Sequence, residues 1–191
     1  CNSNNFNGPA TEWHTDQAAN TDCFAVKVAF YLDELDENSG GLRFLPCSHR
    51  EPLNSDLWDF GLHGSNEMDI KDYQSKSGLE IDQVPSYYCR TNPGDMVIFN
   101  LKIWHSSLGG GKNKRNVSIN YSKYPEKESE SESLKKLAIQ SKQTMKELNF
   151  PTPQFSNYWI DQIKNGPHYE WLNSLYEFGF IENNYLKGGP M

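Results

Sequence analysis

Two short segments of the sequence carry side chains that could bind a metal ion. His14 and Asp16 stand two residues apart in WHTDQ, so on an extended strand both side chains point to the same side. An isolated H-x-D pair is common by chance and more often marks an ordinary surface pair. A second histidine, His105, closes the apolar segment MVIFNLKIWHS (96–106). Two histidines and one carboxylate on strands are the facial ligand set of non-haem Fe(II) oxygenases, which leaves metal positions open to a cosubstrate and dioxygen.

Arg115 follows this segment at a distance that would allow it to pair with His105 in a hairpin. His105 and Arg115 are equally far from Gly110, the centre of the glycine turn LGGGKN (108–113). A hairpin about that turn would set the two residues opposite one another, with Cβ atoms about 4.5–5.5 Å apart. An arginine on an inward apolar face is costly unless it meets an anion. A dicarboxylate bound beside His105 would be such an anion, because the guanidinium fork suits a carboxylate.

Alternating apolar residues predict the strands that must position these side chains. The predicted strands are 24–32, 42–46, 84–90, 96–106 and 115–124. In the first of them, one face is formed by Val26, Val28, Phe30 and Leu32. Polar, irregular residues run from about 51 to 83. Strands joined by turns and one long loop indicate a β-sandwich or barrel.

The composition changes at Pro125. Apolar residues at near-helical spacing, behind an acidic start, predict a helix in 126–148, and one or two further helices are expected in 156–178. We therefore expect two domains: a β core over 1–125 and a helical extension over 126–191 that packs on the core.

Composition narrows the class of protein. Of the 191 residues, 36% are apolar and 13% aromatic, which is typical of a folded globular chain. The net charge of −7 argues against nucleic acid or an anionic membrane as partner. No apolar run approaches the ~20 residues of a membrane span. Widely spaced cysteines and no visible signal peptide favour reduced thiols and a cytoplasmic location, although the chain opens at Cys1 without an initiator Met.

Taken together, the segments WHTDQ, ENSGGLRFLPCSH, GDMVIFNLKIWHSSL and Arg115 resemble the phytanoyl-CoA dioxygenase family of Fe(II)/2-oxoglutarate oxygenases. The resemblance covers residues 13 to about 124. It implies a mainly β fold, with a double-stranded β-helix (jelly-roll, cupin-like) core and C-terminal α-helices. It implies Fe(II) on His14, Asp16 and His105, and 2-oxoglutarate on Arg115 with Ser107 assisting. The implied reaction uses O2 to hydroxylate a small-molecule substrate and releases succinate and CO2.

The sequence departs from the family pattern at three places. Cys47 stands where the family usually has glycine, and Ala29 stands where many members carry tryptophan. Only 13 residues precede His14, so we expect the core to lack an N-terminal portion.

Two other functions stay open at this point. The same fold could be an inactive binding module, or a cupin-type metalloenzyme that does not use 2-oxoglutarate. Arg115 separates the second of these from an oxygenase, because a cupin needs no arginine to hold a cosubstrate. Asp16 argues against a halogenase, since in those relatives a small residue replaces the carboxylate. The sequence carries no readable substrate pocket, and it leaves the oligomeric state open.

Overall fold

The computed structural model describes residues 2–6, 11–18, 21–63, 67–107, 114–147 and 155–182. The chain divides into two units, Asn2–Tyr121 and Ser122–Met191. The predicted glycine turn at 108–113 lies outside the described residues. The packing of the helical extension on the core stays a prediction.

Eight strands lie in the described residues. They are β1 (Asn2–Phe6), β2 (Thr11–His14), β3 (Ala25–Tyr31), β4 (Leu42–Phe44), β5 (Tyr87–Cys89), β6 (Met96–Asn100), β7 (His105–Ser107) and β8 (Lys114–Ser122). They form two four-stranded sheets, in the orders β1-β8-β3-β6 and β2-β7-β4-β5. The strand pairs whose register is described are antiparallel. The predicted β core is therefore confirmed at the level of antiparallel sheets.

Two helices occupy the segment that we expected to be irregular, so that expectation was wrong. They are α1 (Leu53–Asp59) and α2 (Glu67–Ser77). Leu57 of α1 and Tyr73 of α2 pack into a cluster built around Trp13 and Trp104. The apolar residues of these two helices are sparse and do not form a clear 3.6-residue period in the sequence.

The single strand predicted over 96–106 is two strands in different sheets. β6 ends at Asn100 and β7 begins at His105. The side-chain oxygen of Asn100 accepts a hydrogen bond from the backbone N–H of Lys102 at 2.9 Å, and its carbonyl accepts one from Ile103 at 3.0 Å. Such an Asx turn offers the backbone an alternative to the sheet ladder. It transfers the chain to the other sheet just before His105.

The face of β3 that packs inside is largely the opposite of the predicted one. Phe30 and Leu32 are 38% and 48% exposed, although Val28 is buried. The buried row is Ala25, Ala29 and Tyr31. Lys27 falls on the same inward row. The side-chain period of a strand is two, so an error of one residue moves a whole row to the other face.

The second unit holds the predicted C-terminal helices. They are α3 (Glu128–Glu147), α4 (Asn157–Lys164) and α5 (Tyr169–Glu177). Ile160, Leu172 and Ile181 form the centre of a small core that includes α4 and α5. The hydroxyl of Ser156 caps α4 by accepting a hydrogen bond from the backbone N–H of Trp159. Across the described residues, every helix is too short or too polar to cross a membrane.

Candidate metal centre

The three predicted metal ligands come together at one end of the β2–β7 pair. His14 is the last residue of β2 and lies opposite His105, the first residue of β7. Asp16 follows two residues after His14, beyond the end of the strand. One ligand atom from each residue lies within 4.8 Å of the other two. The Nε2 atoms of His14 and His105 are 3.8 and 3.6 Å from the two carboxylate oxygens of Asp16. The H-x-D motif and the distal histidine thus come together as a candidate metal site.

The backbone orients both imidazole rings. The Nδ1 of His14 lies 2.7 Å from the carbonyl oxygen of Glu12, and the Nδ1 of His105 lies 2.9 Å from that of Ile103. A carbonyl oxygen only accepts, so each Nδ1 carries the proton and donates it. Each Nε2 is left with a lone pair directed towards Asp16, as in metal-binding histidines whose other nitrogen is held by a backbone carbonyl.

Burial keeps His105 neutral. Its side chain is 3% exposed, and this desolvation lowers its pKa to about 4 despite the opposing effect of Asp16. A metal ligand must be the neutral imidazole, so the ring needs to lose no proton at neutral pH before it binds an ion. Phe99 and Phe44 complete the apolar surroundings, with ring centroids 4.9 and 6.2 Å from that of His105. The donor set therefore fits a divalent ion such as Fe(II).

Asp16 is ionised although it is largely enclosed. Burial alone would raise the pKa of its carboxyl group, but Lys27, and then His105 and His14, outweigh that effect and lower it. The ammonium of Lys27 lies 2.7 Å from Oδ2 of Asp16. The sequence analysis missed Lys27 because it assigned β3 the wrong inward row. The available signal was its spacing of two residues from both Ala25 and Ala29.

A second polar group extends along β7. Ser107 lies two residues after His105, is buried, and donates a hydrogen bond to the carbonyl of Gly40 at 3.2 Å. The ammonium of Lys114, the first residue of β8, donates to the hydroxyl of Ser107 and to the same carbonyl. Burial lowers the pKa of Lys114 to about 8. The inward start of β8 is therefore occupied by a half-buried lysine.

Arg115 lies elsewhere in the structure. Its side chain is 58% exposed and forms an ion pair with Asp33, with Nη2 2.7 Å from Oδ1. The expected pairing of β7 with β8 is wrong for the described residues, because the two strands belong to different sheets and Arg115 pairs with Asn5 of β1. The structure thus brings His14, Asp16 and His105 together, with Ser107 on the same strand as His105, but not Arg115. A role for Arg115 stays a prediction.

Two antiparallel sheets that carry a His–Asp–His group define a protein with a β core and a candidate mononuclear metal centre. The sequence profile of the phytanoyl-CoA dioxygenase (PhyH) family matches residues 1–116. The chain belongs to the phytanoyl-CoA dioxygenase family. Among curated proteins, no sequence matches the chain.

Several solved structures resemble part of the chain. EvdMO1 is 16% identical over 62% of this chain and 24% of its own, with a TM-score of 0.42. AviO1 from Streptomyces viridochromogenes Tue57 is 19% identical over 62% of this chain and 45% of its own, with a TM-score of 0.41. EvdO2 from Micromonospora carbonacea var. aurantiaca, complexed with 2-oxoglutarate, is 21% identical over 63% of this chain and 49% of its own, with a TM-score of 0.39. The matched region thus spans between a quarter and a half of these proteins.

Proposed function

We propose that this protein is a non-haem Fe(II)- and 2-oxoglutarate-dependent dioxygenase that hydroxylates a small-molecule substrate. The observation that carries the proposal is the convergence of His14, Asp16 and His105 within 4.8 Å in a chain of the phytanoyl-CoA dioxygenase family. When bound, iron and 2-oxoglutarate supply the oxidising chemistry: O2 gives one oxygen atom to succinate and one to the substrate C–H bond, with loss of CO2.

The strand order supports a double-stranded β-helix as the core. From β1 to β8, consecutive strands change sheet at every step except between β4 and β5. This alternation is typical of an eight-stranded jelly roll, in which the chain passes back and forth between two sheets. Such a core places His14 and His105 on strands, which favours a fixed geometry for these two ligands, while Asp16 follows directly after β2.

The three ligand side chains have distinct tasks in this proposal. The two neutral imidazoles bind through Nε2 and keep their Nδ1 protons on backbone carbonyls. Asp16 supplies one negative charge, which partly balances the charge of a divalent ion. Because the three ligands occupy one face, the opposite positions stay open to the cosubstrate and to O2.

The cosubstrate is proposed to extend from the metal centre towards Ser107. Along a strand, two residues span about 6.6 Å, so Ser107 lies roughly one short dicarboxylate away from His105. Two cations at the start of β8 could hold the distal carboxylate. Family resemblance favours Arg115, which would have to leave Asp33. The observed contacts favour Lys114, whose ammonium donates a hydrogen bond to the Ser107 hydroxyl.

Two alternatives remain distinct from this function. One is a binding module that holds metal and 2-oxoglutarate without turnover. The other is a cupin-type metalloenzyme that does not use 2-oxoglutarate. The half-buried ammonium of Lys114 beside Ser107 favours the oxygenase over the cupin-type enzyme, because it offers a positive charge to the distal carboxylate of 2-oxoglutarate.

Succinate release from 2-oxoglutarate is the direct test. The purified chain is incubated with Fe(II), 2-oxoglutarate and air across a panel of small-molecule substrates, beside Asp16→Ala as the control. We expect succinate and a substrate mass increase of one oxygen from the wild type and neither from the control. Tight binding of 2-oxoglutarate with no succinate under any condition would support the binding module. Metal binding without any affinity for 2-oxoglutarate would support the cupin-type enzyme.

A further inference from the structure

Lys27 occupies an inward position that is shaped for a long side chain. Its neighbours on the same face of β3 are Ala25 and Ala29, which are 0% and 3% exposed. Directly across the strand pair lies Phe99, and the ammonium of Lys27 is 5.8 Å from the centroid of that ring. Small neighbours leave room for the lysine stem, while the aromatic face supports the cation. The side chain thus extends towards the candidate metal centre, where its ammonium forms an ion pair with the carboxylate of Asp16.

The three metal ligands are not held in the same way. The rings of His14 and His105 are each fixed by a backbone carbonyl two residues before them. Asp16 follows the end of β2, so no strand ladder fixes its direction. Among the described residues, the polar groups recorded beside its carboxylate are the two imidazoles and the ammonium of Lys27, at 2.7 Å from Oδ2.

We propose that Lys27 is a positioning residue that holds Oδ2 of Asp16 and leaves Oδ1 as the single oxygen offered to the metal. This inference rests on the proposed iron site. A carboxylate that bound through both oxygens would occupy one more metal position. With Oδ2 engaged by Lys27, that position stays available to the chelating end of the cosubstrate.

The charge of Lys27 has a second consequence. With both histidines as neutral ligands, the positive charge of the Lys27 ammonium cancels the negative charge of Asp16. The site with a bound divalent ion therefore keeps a net charge equal to that of the ion. This arrangement weakens metal binding by repulsion and strengthens binding of a dianionic cosubstrate by attraction. Lys27 therefore lowers the affinity for the metal and raises the affinity for the cosubstrate. A residue that only stabilises the fold would not produce these opposite effects.

An ordinary structural ion pair provides the contrast. Lys76 and Asp72 form a pair of 2.6 Å on α2, with side chains 41% and 54% exposed. The Lys27–Asp16 pair is more enclosed, at 21% and 19% exposed. Lys76→Met is therefore a matched control, which breaks a lysine–aspartate pair away from the metal ligands.

The test uses the full chain with Co(II), which is stable in air, in place of iron. Calorimetry measures Co(II) affinity and then the affinity of the Co(II)-loaded protein for 2-oxoglutarate, and the visible Co(II) spectrum reports the coordination number. For Lys27→Met we expect equal or tighter Co(II) binding, about tenfold weaker 2-oxoglutarate binding and a changed spectrum. Lys27→Arg should restore the wild-type values, and Lys76→Met should match them. Lys27→Gln, of similar polarity and length, replaces Lys27→Met if the latter does not fold.

Two results would overturn the role of Lys27. One is an equal loss of Co(II) and 2-oxoglutarate affinity in the variant, which would indicate a structural pair. The other is an unchanged spectrum with unchanged 2-oxoglutarate affinity. If the wild type binds Co(II) but no 2-oxoglutarate, the proposed function fails instead, and the Co(II) spectra of the variants still decide whether Lys27 positions Asp16.

Discussion

At the scale of single residues, Asp16 is the charged member of the metal centre. Its carboxylate faces two imidazoles that the backbone holds with their Nε2 lone pairs inward. Either histidine alone could be an ordinary structural residue. The carboxylate between them turns the group into a site with a preference for a dication.

Replacing Asp16 therefore has a specific expected result. Asp16→Ala should lower affinity for Fe(II) or Co(II) by about 100-fold or more, since even outer partners of metal ligands contribute 10–100-fold. Asp16→Glu keeps the charge on a longer stem and should retain part of the affinity. Calorimetric titration of both variants measures this. Co(II) affinity unchanged in Asp16→Ala would refute the metal centre.

Cys47 is a residue whose backbone conformation is costly. Its φ is +65°, in the left-handed region that favours glycine, and its side chain is exposed. The sequence has cysteine here where the family pattern has glycine. Strain at a residue with a Cβ in this region costs about 1–2 kcal/mol, while glycine loses about 0.5–1 kcal/mol more backbone entropy on folding.

We expect Cys47→Gly to raise the free energy of unfolding by about 0.5–1 kcal/mol, because relief of the strain exceeds the added entropy cost. Urea denaturation measures the difference. Cys47→Ser keeps the Cβ and removes the thiol, so it should leave stability unchanged. Equal stabilisation by both variants would show that the thiol, not the backbone, is responsible.

At the scale of elements, the inward faces of β3 and β8 carry the cations of the site. Lys27 lies on the inward row of β3, and Lys114 begins the inward row of β8. The two strands are neighbours in one sheet. Arg115, one residue further along β8, points to the opposite side and meets Asp33. One position along the strand thus decides which cation reaches Ser107.

The pH dependence of cosubstrate binding distinguishes Lys114 from Arg115. Burial lowers the pKa of Lys114 to about 8, so below that pH its ammonium can bind the distal carboxylate. As pH rises through 8 the ammonium loses its proton, and 2-oxoglutarate affinity should fall by up to about tenfold per pH unit. An arginine stays charged across this range and would produce no such decline.

The matched variants are Lys114→Met and Arg115→Gln. Lys114→Met should bind 2-oxoglutarate about tenfold more weakly at pH 7 and lose the decline near pH 8. Arg115→Gln should keep both the affinity and the decline. The reverse pattern, with Arg115→Gln weak and Lys114→Met normal, would assign the cosubstrate to Arg115 as the family resemblance implies.

At the scale of the whole molecule, the metal ion would link parts of the chain that are far apart in sequence. His14 and His105 belong to β2 and β7, and Asp16 to the segment that follows β2. An unfolded chain cannot hold these three ligands together, so the ion binds the folded state and stabilises it by mass action.

We expect Co(II) at 100 times its Kd to add about 2.7 kcal/mol to the free energy of unfolding. For a domain of this size that corresponds to a rise in Tm of roughly 5–10 °C. Differential scanning calorimetry with and without a chelator measures it. Asp16→Ala, with its weaker binding, should gain no more than about 0.4 kcal/mol at the same Co(II) concentration. A similar rise in that variant would indicate binding at another place.

Much of the site could be predicted from the sequence, because its chemistry is encoded locally. The H-x-D motif indicated His14 and Asp16, and the resemblance to the family indicated His105, at the end of an apolar segment, as the distal ligand. The strong alternation and the change at Pro125 indicate strands followed by helices, and the structure contains both. The helices α1 and α2 were missed, since their apolar residues show no clear 3.6-residue period in the sequence.

Only the tertiary structure decided which strands pair and which faces lie inside. Alternation with a period of two has two possible phases, and packing against the rest of the core selects one of them. The expected hairpin would have pointed Arg115 inward. In the structure β8 pairs with β1 instead, and the side chain of Lys114 points towards Ser107. The same choice in β3 buries two alanines and directs Lys27 to Asp16. The three candidate ligands could be predicted because each lies in a recognisable short segment, but their charged partners depend on contacts between distant strands.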